Sequence, residues 1–171
     1  GRWNGEHFYE KVWKSNAIGT KNIIRLQEER GFKLVHCSSS EVYGDYQDVM
    51  YEDVLNEVPI NQMNDYAISK KVNEMQIQNS RIQFGTETVT IRIFNTYGPR
   101  MQLNDGRVVT NLIVQALENN DITIYGDGSQ TRSFSYVDDT VGGIVALMES
   151  EEFDVFNIGN PNDFTCCNPT V

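Results

Sequence analysis

The apolar positions of this chain follow two periods, one close to that of a helix and the other close to that of a strand. Residues 6–30 and 65–84 have apolar side chains at helical offsets, and Gly31 and Gly85 stand where each helix is expected to stop. The pattern predicts one long helix over each range, the second with Asp65 as its N-cap. The apolar positions are Phe8, Val12, Ile23 and Leu26 in the first helix, and Ile68, Val72 and Met75 on one face of the second.

Two strand-length runs follow these helices. Residues 32–37 form a short apolar run that ends at the serines 38–40, so a strand is expected to deliver those serines to a loop. Residues 88–94 alternate and are rich in β-branched side chains, which predicts a second strand before a turn at 97–99. The polar, acidic segment 44–64 has no periodicity and is interpreted as a surface excursion that can cover a site.

The second half of the chain continues the alternation. A helix of about three turns is predicted over 109–117. Its apolar positions form one stripe, so this face is expected to pack against another part of the protein. Residues 122–125 and 155–158 predict short strands, and Asp138 or Asp139 is expected to cap the helix between them. The stripes are Val109, Leu112, Ile113, Ala116 and Leu117 in the first of these helices, and Val141, Ile144, Val145 and Met148 in the second.

Helices that alternate with short apolar strands are typical of βαβ units, whose strands form a mainly parallel sheet covered by helices. The fold class predicted from the pattern is therefore α/β. With 171 residues and 39% hydrophobic side chains, the chain is long enough to bury an ordinary core.

Charge and cysteine content limit the partners and the compartment. Fourteen Lys plus Arg against 24 Asp plus Glu give a net charge of -10, so neither nucleic acid nor an anionic membrane surface is an expected partner. No apolar run approaches the roughly 18 residues that span a bilayer, and no secretory leader opens the chain. Cys37, Cys166 and Cys167 have no zinc-ligand spacing and are expected to be reduced thiols, which favours a cytoplasmic location.

Three polar side chains point to proton transfer coupled to hydride transfer. Tyr66 and Lys70 lie four residues apart on a predicted helix, so both side chains rise from one face. An ammonium group beside a phenol, whose usual pKa is near roughly 10, favours the phenolate form that can act as a base. Ser39, at a neighbouring strand end, would hold the substrate oxygen. The alternative is an exposed aromatic ring and a solvated lysine on a helix surface.

Several motifs in sequence order resemble one family. SSSEVYG at 38–44, YAISK at 66–70 and RIFNTYGPR at 92–100 are similar to the extended short-chain dehydrogenase/reductases that act on nucleotide sugars. NDGRVVTN at 104–111 and YGDGSQTRSFSYVDD at 125–139 resemble the UDP-glucuronate decarboxylases within that family. The resemblance implies a partial Rossmann-like parallel sheet with a small C-terminal substrate-binding portion.

The resemblance also implies roles for single residues. It makes Tyr66 the general base, Lys70 its electrostatic partner and a ligand of the NAD ribose, and Ser39 the hydroxyl that orders the sugar O4. Ile93 would lie beside the nicotinamide, and Glu41 would place a water or a proton near C5. The substrate-binding residues would be Ser39, Ser40, Asn95 and Arg132, the last two at the nucleotide diphosphate.

Two of these roles have structural alternatives. Glu41 could instead hydrogen-bond its own loop, and Arg132 could form a surface ion pair with Asp127 or Asp138.

The resemblance implies a reaction that begins with oxidation at C4 of a UDP-sugar. In glucuronate the carboxylate is then β to a ketone, so carbon dioxide can leave, and reduction at C4 gives UDP-xylose. A nucleotide-sugar 4-epimerase is the first alternative, because YAISKK at 66–71 stands where the decarboxylases typically show YDEGKR. Dehydration is disfavoured, since 4,6-dehydratases carry Asp-Glu where this chain has Ser40-Glu41. Relatives often form dimers, so a homodimer through helices 6–30 and 65–84 is expected.

The strand, Gly-x-x-Gly-x-x-Gly loop and helix that bind NAD in this family have no counterpart in the chain. We therefore expect a fragment or a truncated protein. Residues 1–94 would be the C-terminal part of an NAD-binding Rossmann-like region, and residues 95–171 mostly a nucleotide-sugar-binding region, with 155–159 a possible return strand. A non-catalytic nucleotide-sugar-binding fragment is the second alternative function.

Overall fold

A computed structural model describes residues 6–103, 106–124 and 126–165 of the chain. They divide into two compact units. The first contains the described residues up to Ile93 together with Gly143–Ile158, and the second contains Phe94–Gly142 and the described residues from Gly159 onwards. Cys166 and Cys167 lie outside the described residues.

Helices and strands alternate along the chain. The helices are α1 (Glu6–Val12), α2 (Gly19–Arg30), α3 (Val54–Glu57), α4 (Asp65–Phe84), α5 (Val108–Leu117) and α6 (Val137–Glu149). The strands are β1 (Leu34–Ser39), β2 (Thr88–Ile93), β3 (Thr96–Tyr97), β4 (Thr131–Arg132), β5 (Ser135–Tyr136), β6 (Val155–Ile158) and β7 (Phe164–Thr165). A π-helical segment, Trp13–Ile18, joins α1 to α2, and a 3₁₀ helix, Ser40–Tyr43, follows β1.

The first unit is built on a three-stranded parallel sheet with the order β1-β2-β6. The central strand β2 is buried along almost its whole length, as its β-branched composition favours. In the register of the sheet, Ser39 pairs with Ile93 and Ile93 pairs with Ile158, so these three residues form one row at the carboxyl end of the strands. A parallel sheet with intervening helices confirms the predicted α/β class.

The second unit contains two small strand pairs. β3 pairs with β5 in parallel, and β4 pairs with β7 in antiparallel orientation. Gly126 and Gly128 both have positive φ angles, 67° and 77°, between α5 and β4. Because glycine adopts this conformation without steric cost, these two residues are turn glycines.

The first predicted helix differs from the prediction in two respects. The π-helical segment interrupts it, and α2 buries Ile24 and Gln27, whereas Ile23 and Leu26 are 46% and 43% exposed; Val12, in α1, is buried as its position in the pattern suggests. The amide of Gln27 donates to the backbone oxygen of Glu87 at 2.7 Å, so burial here satisfies a carbonyl group next to the sheet.

The helix predicted over 65–84 has the predicted bounds, but its predicted cap was wrong, and its apolar face is not the buried one. Asn64, not Asp65, is the N-cap, and its side chain accepts from the backbone N–H of Ala67 at 2.8 Å. Ile68 and Met75 are 39% and 58% exposed. The residues that this helix buries are mostly small or polar: Ala67, Ser69, Asn73, Glu74, Ile77 and Ser80.

The apolar stripes predicted to be buried in α5 and α6 are largely exposed. Each of these helices has a single buried residue among those described, Thr110 in α5 and Thr140 in α6. Both Asp138 and Asp139 lie in the first turn of α6, which begins at Val137, so neither is its cap. The exposed stripe residues are Ile113, Ala116, Leu117, Val141, Val145 and Met148.

Three local predictions also need correction. β1 begins two residues later than predicted and continues through Ser39, and α3 lies within the segment 44–64 that was expected to be irregular. Residues 122–124 form no strand, and Tyr125 lies outside the described residues. The backbone N–H of Thr123 is bound by the side chain of Gln115 at 3.0 Å instead of by a neighbouring strand.

Candidate active site

Ser39 stands at the point where β1 gives way to the 3₁₀ helix. It is the N-cap of that helix, and its Oγ accepts from the backbone N–H of Glu41 at 3.2 Å. Ser39 is 8% exposed and lies beside Ile93, which is half-buried at the end of β2. In open α/β sheets, ligands bind at the carboxyl ends of the strands. The sheet therefore places the predicted Ser39 and Ile93 side by side at this edge.

The first two turns of α4 bring Lys70 to the same strand. Tyr66 and Lys70 are one turn apart, and the Nζ of Lys70 lies 5.8 Å from the centre of the Tyr66 ring. The same Nζ donates to the backbone oxygen of Cys37 at 2.7 Å, two residues before Ser39. The alternative of a fully solvated lysine is therefore wrong, because its amine is held between the helix and β1.

Burial changes the acidity of this lysine. Desolvation lowers the pKa of Lys70, while Cys37 and Glu74 act in the opposite direction. In its protonated form the amine favours ionisation of a nearby phenol, because opposite charges stabilise each other more strongly in a partly desolvated site.

Glu41 is exposed, and its carboxylate is linked to the start of α4. Its Oε2 accepts from the Nδ2 of Asn64 at 3.1 Å. Asn64 therefore caps the helix with its oxygen and binds Glu41 with its amide nitrogen. This contact is a hydrogen bond within the local structure, as the alternative interpretation of Glu41 expected. Ser40, the first residue of the 3₁₀ helix, is half-buried.

A buried ion pair lies below this edge of the sheet, and the sequence interpretation missed it. The guanidinium of Arg92 binds the carboxylate of Glu74 through two contacts, of 2.9 and 3.1 Å, with both side chains less than 8% exposed. Glu74 also accepts from the Oγ of Ser38 at 2.5 Å. Burial opposes the charge of Arg92, but the hydrogen bond and the charge of Glu74 outweigh it and the pKa of Arg92 is raised. Two signals could have revealed the pair: an arginine inside an apolar strand, and a glutamate one turn after Lys70.

The second unit contains Asn95 and Arg132. The side chain of Asn95 donates to the backbone oxygen of Ser133 at 3.2 Å. Arg132 is exposed, and its Nη1 donates to the oxygen of Thr131 at 2.7 Å. Among the described residues, no salt bridge joins Arg132 to Asp127 or Asp138, so the surface ion pair given as the alternative for Arg132 is not formed. The predicted motif at 104–111 includes residues 104 and 105, which lie outside the described ranges.

Neither a metal cluster nor a membrane-spanning helix is found in the described ranges. They contain no group of three His, Cys, Asp or Glu side chains that could hold a metal ion. None of the helices within them is long and apolar enough to cross a bilayer.

A parallel α/β sheet with a tyrosine, a lysine and a serine close to its carboxyl edge is the arrangement typical of short-chain dehydrogenase/reductases. The chain belongs to the NAD dependent epimerase/dehydratase family, whose sequence model matches residues 5–159. This confirms the family predicted from the motifs.

Curated relatives in the same family are UDP-glucuronic acid decarboxylases. UDP-glucuronic acid decarboxylase 1 of Arabidopsis thaliana is 43% identical over 157 residues, which are 91% of this chain and 36% of the relative. The Xenopus tropicalis enzyme of the same name is 45% identical over 157 residues, 90% of this chain and 37% of the relative. The chain thus spans less than half the length of these relatives.

Solved structures of the family have the same fold. The UDP-glucuronic acid 4-epimerase of Bacillus cereus, in complex with UDP-glucuronic acid and NAD, superposes with a TM-score of 0.84 at 28% identity. The superposition covers 96% of this chain and 52% of the epimerase chain. The UDP-N-acetylglucosamine 4-epimerase of Methanobrevibacter ruminantium M1 gives a TM-score of 0.83 at 25% identity, over 90% and 50% of the two chains. These superpositions confirm the partial Rossmann-like fold.

Proposed function

We propose that this chain is part of an NAD-dependent nucleotide-sugar enzyme that converts UDP-glucuronate to UDP-xylose and carbon dioxide. The observation that carries the proposal is the 43–45% identity with UDP-glucuronic acid decarboxylases over nine tenths of the chain. The geometry of the site agrees with it, because Lys70 joins the helix of Tyr66 to the strand that ends at Ser39.

The residues at the edge of the sheet fit the ribose and nicotinamide end of NAD. An ammonium group has three N–H donors, and the structure gives one donor of Lys70 to Cys37, so others can reach ribose hydroxyls. Ile93 offers an apolar surface for the nicotinamide ring beside Ser39. When bound, NAD accepts a hydride from C4 of the sugar and later returns it.

Proton transfer at C4 is assigned to three side chains. The Oη of Tyr66 removes the proton of the O4 hydroxyl, and the ammonium of Lys70 stabilises the phenolate that does so. The Oγ of Ser39 hydrogen-bonds the same sugar oxygen and orients it. All three side chains belong to the first unit.

Four further residues would bind the rest of the substrate and assist loss of carbon dioxide. With a ketone at C4, the bond to the carboxylate at C5 breaks, and its electron pair is delocalised into an enolate. Glu41 would hold the water or proton that is delivered to C5, and Ser40 would bind the sugar. Asn95 and the planar guanidinium of Arg132 would bind the diphosphate, with Arg132 also steering the carboxylate.

The direct test is carbon dioxide release from UDP-glucuronate labelled in its carboxyl group, with NAD added, by the protein as isolated from its source. The proposal is supported if Tyr66→Phe abolishes carbon dioxide release. Tyr9→Phe, which makes the same change at an exposed tyrosine, should retain it. Failure of the unaltered protein to release labelled carbon dioxide would overturn it.

A UDP-glucuronate 4-epimerase is the second candidate, since the solved 4-epimerase of Bacillus cereus shares the fold over 96% of this chain. In that case the C4 ketone is reduced on its other face and all six sugar carbons remain. Proton NMR of the product separates a pentose from an epimerised hexuronate.

A third candidate is a fragment that binds a nucleotide sugar without catalysis. Calorimetric titration of the 171-residue chain distinguishes it: heat from a UDP-sugar without heat from NAD favours the fragment. Binding of both ligands favours the enzyme.

We also propose a homodimer formed through helices α1, α2 and α4. The exposed apolar residues Ile68, Met75 and Ile82 lie at intervals of seven on α4, which is the spacing of a helix–helix seam. Light scattering tests the proposal: Met75→Glu should give a monomer, whereas Gln83→Glu, also exposed on α4, should not. A monomeric unaltered protein would contradict it.

A further inference from the structure

The buried pair of Glu74 and Arg92 joins the two elements that carry the proposed catalytic groups. Glu74 follows Tyr66 and Lys70 at intervals of four residues, so all three lie along one face of α4. On the sheet side, Arg92 is aligned with Ser38 in the register of β1 and β2. The pair therefore links the tyrosine-bearing helix α4 to β2, the strand beside the serine-bearing β1, and Glu74 also binds Ser38 of β1.

The contacts of Glu74 fix both the helix and β1. Its Oε1 accepts from the Oγ of Ser38 at 2.5 Å and from the Nε of Arg92 at 3.1 Å, and its Oε2 accepts from the Nη2 of Arg92 at 2.9 Å. Ser38 is 4% exposed and is the immediate neighbour of Ser39. A shift of α4 along β1 would break these contacts together, because a bidentate contact tolerates little sliding.

The contacts of Arg92 extend to the loop that follows Ser39. Its Nη1 donates to the hydroxyl of Tyr43 at 2.9 Å and to the backbone oxygen of Glu52 at 2.8 Å, and its guanidinium lies 5.0 Å from the centre of the Tyr43 ring. Tyr43 ends the 3₁₀ helix that Ser39 caps. One guanidinium thus contacts α4, the 3₁₀ helix and the segment 44–64.

We infer that Glu74 and Arg92 are positioning residues, which set the distance between the Ser39 hydroxyl and the Tyr66 phenol. They do so through the hydrogen bonds that connect α4 to Ser38 and Tyr43. The inference rests on the proposed function for the catalytic roles of Ser39 and Tyr66. Neither Glu74 nor Arg92 is assigned to the substrate, the cofactor or the reacting atoms.

The Glu74–Arg92 pair could instead contribute only to stability. A double substitution that removes both charges distinguishes this structural role from a positioning role. Replacing a buried ion pair by apolar side chains of similar volume is often neutral or stabilising, whereas removing one partner leaves a charge buried without its counterion. Glu74→Leu with Arg92→Met should therefore keep the protein folded while removing the hydrogen bonds by which Glu74 binds Ser38 and Arg92.

The experiment compares the unaltered protein with Arg92→Lys, with the double variant and with Arg81→Met as a control. Arg81 lies on the same helix in an exposed pair with Asp154 at 3.8 Å. The measurements are Tm, KM and kcat for UDP-glucuronate, and the distance from Ser39 Oγ to Tyr66 Oη in crystals of each variant.

For a positioning role, the double variant should keep its Tm and KM but lose kcat by about 100-fold, the effect expected for a displacement of about 1 Å. Its Ser39–Tyr66 distance should change, and Arg81→Met should resemble the unaltered protein. A double variant with unaltered kcat and an unaltered distance would overturn the inference. If the double variant does not fold, Arg92→Lys replaces it, because lysine retains the charge but not the bidentate contact. Its kcat and its Ser39–Tyr66 distance then test the inference in the same way.

Failure of the proposed function remains distinguishable from failure of this inference. If the unaltered protein releases no carbon dioxide, the proposed reaction is wrong. The Ser39–Tyr66 distance in the variants still tests whether Glu74 and Arg92 set the geometry.

Discussion

The Nζ of Lys70 donates to the backbone oxygen of Cys37 at 2.7 Å, so an amine from a helix is bound to the strand that ends at Ser39. A backbone carbonyl cannot be removed by substitution of its side chain. The contact therefore depends on Lys70 alone, and changes at this residue test both its position and its charge.

Lys70→Met should reduce kcat for UDP-glucuronate by about 100-fold or more, the usual range for loss of assistance to a general base. The physical reason is loss of the positive charge beside the Tyr66 ring. Lys21→Met, which removes an exposed lysine from α2, serves as the control and should leave kcat unchanged. Equal kcat values for the two variants would contradict the role of Lys70.

Gly44→Ala should destabilise the protein strongly. Gly44 has a φ angle of 49°, and a Cβ at this position would lie 2.0 Å from the backbone oxygen of Asn61. Positive φ alone costs a non-glycine residue about 1–2 kcal/mol, and the clash with backbone adds to this cost. Gly31→Ala is the matched control, because Gly31 has a φ of 66° and no atom within 4 Å of the added Cβ. Urea denaturation should show a larger loss for Gly44→Ala, and equal losses would disprove the clash.

His36 should make stability fall between pH 6.5 and pH 4. Its Nε2 is buried and has no hydrogen-bond partner among the described residues. Burial, followed by the charge of Lys70, lowers the pKa of His36 to about 4, with Glu74 opposing. The unfolded chain thus binds a proton at higher pH than the folded chain does, and stability is lost as the pH falls through this window.

The expected loss for His36 is about 2–3 kcal/mol, the linkage value of such a shift. Denaturation of the unaltered protein and of His36→Leu at several pH values measures it, since the variant should lack this component. If the stability of His36→Leu depends on pH in the same way as that of the unaltered protein, His36 is not the source of this pH dependence.

Asn64→Ala should lower the free energy of unfolding by about 1 kcal/mol, because it removes the N-cap of α4. Asn64→Ser keeps a capping oxygen but has no amide to bind Glu41, so it should retain most of that stability. Urea denaturation of both variants separates the cap from the Glu41 contact. If Asn64→Ser loses as much as Asn64→Ala, the contact with Glu41 is the more important one.

The elements with local signals could be predicted from the amino-acid sequence. β-branched alternation located β2, and the glycines after α2 and α4 located the ends of both helices, where Gly31 and Gly85 adopt positive φ. These signals succeed because they record backbone preferences that a few neighbouring residues decide. The family and the α/β class were also accessible, since several motifs occur in order.

Which helix faces are buried and which side chains meet depends on tertiary packing, and the sequence pattern did not predict it. Met75 is exposed although it is apolar, while Glu74 beside it is buried and paired with Arg92 of β2, which neutralises its charge. Likewise, residues 122–124 form no strand in the described structure, and the backbone N–H of Thr123 donates to the side chain of Gln115. Burial depends on what packs against an element, and hydrophobic periodicity cannot show that a charged residue will find its partner eighteen positions away.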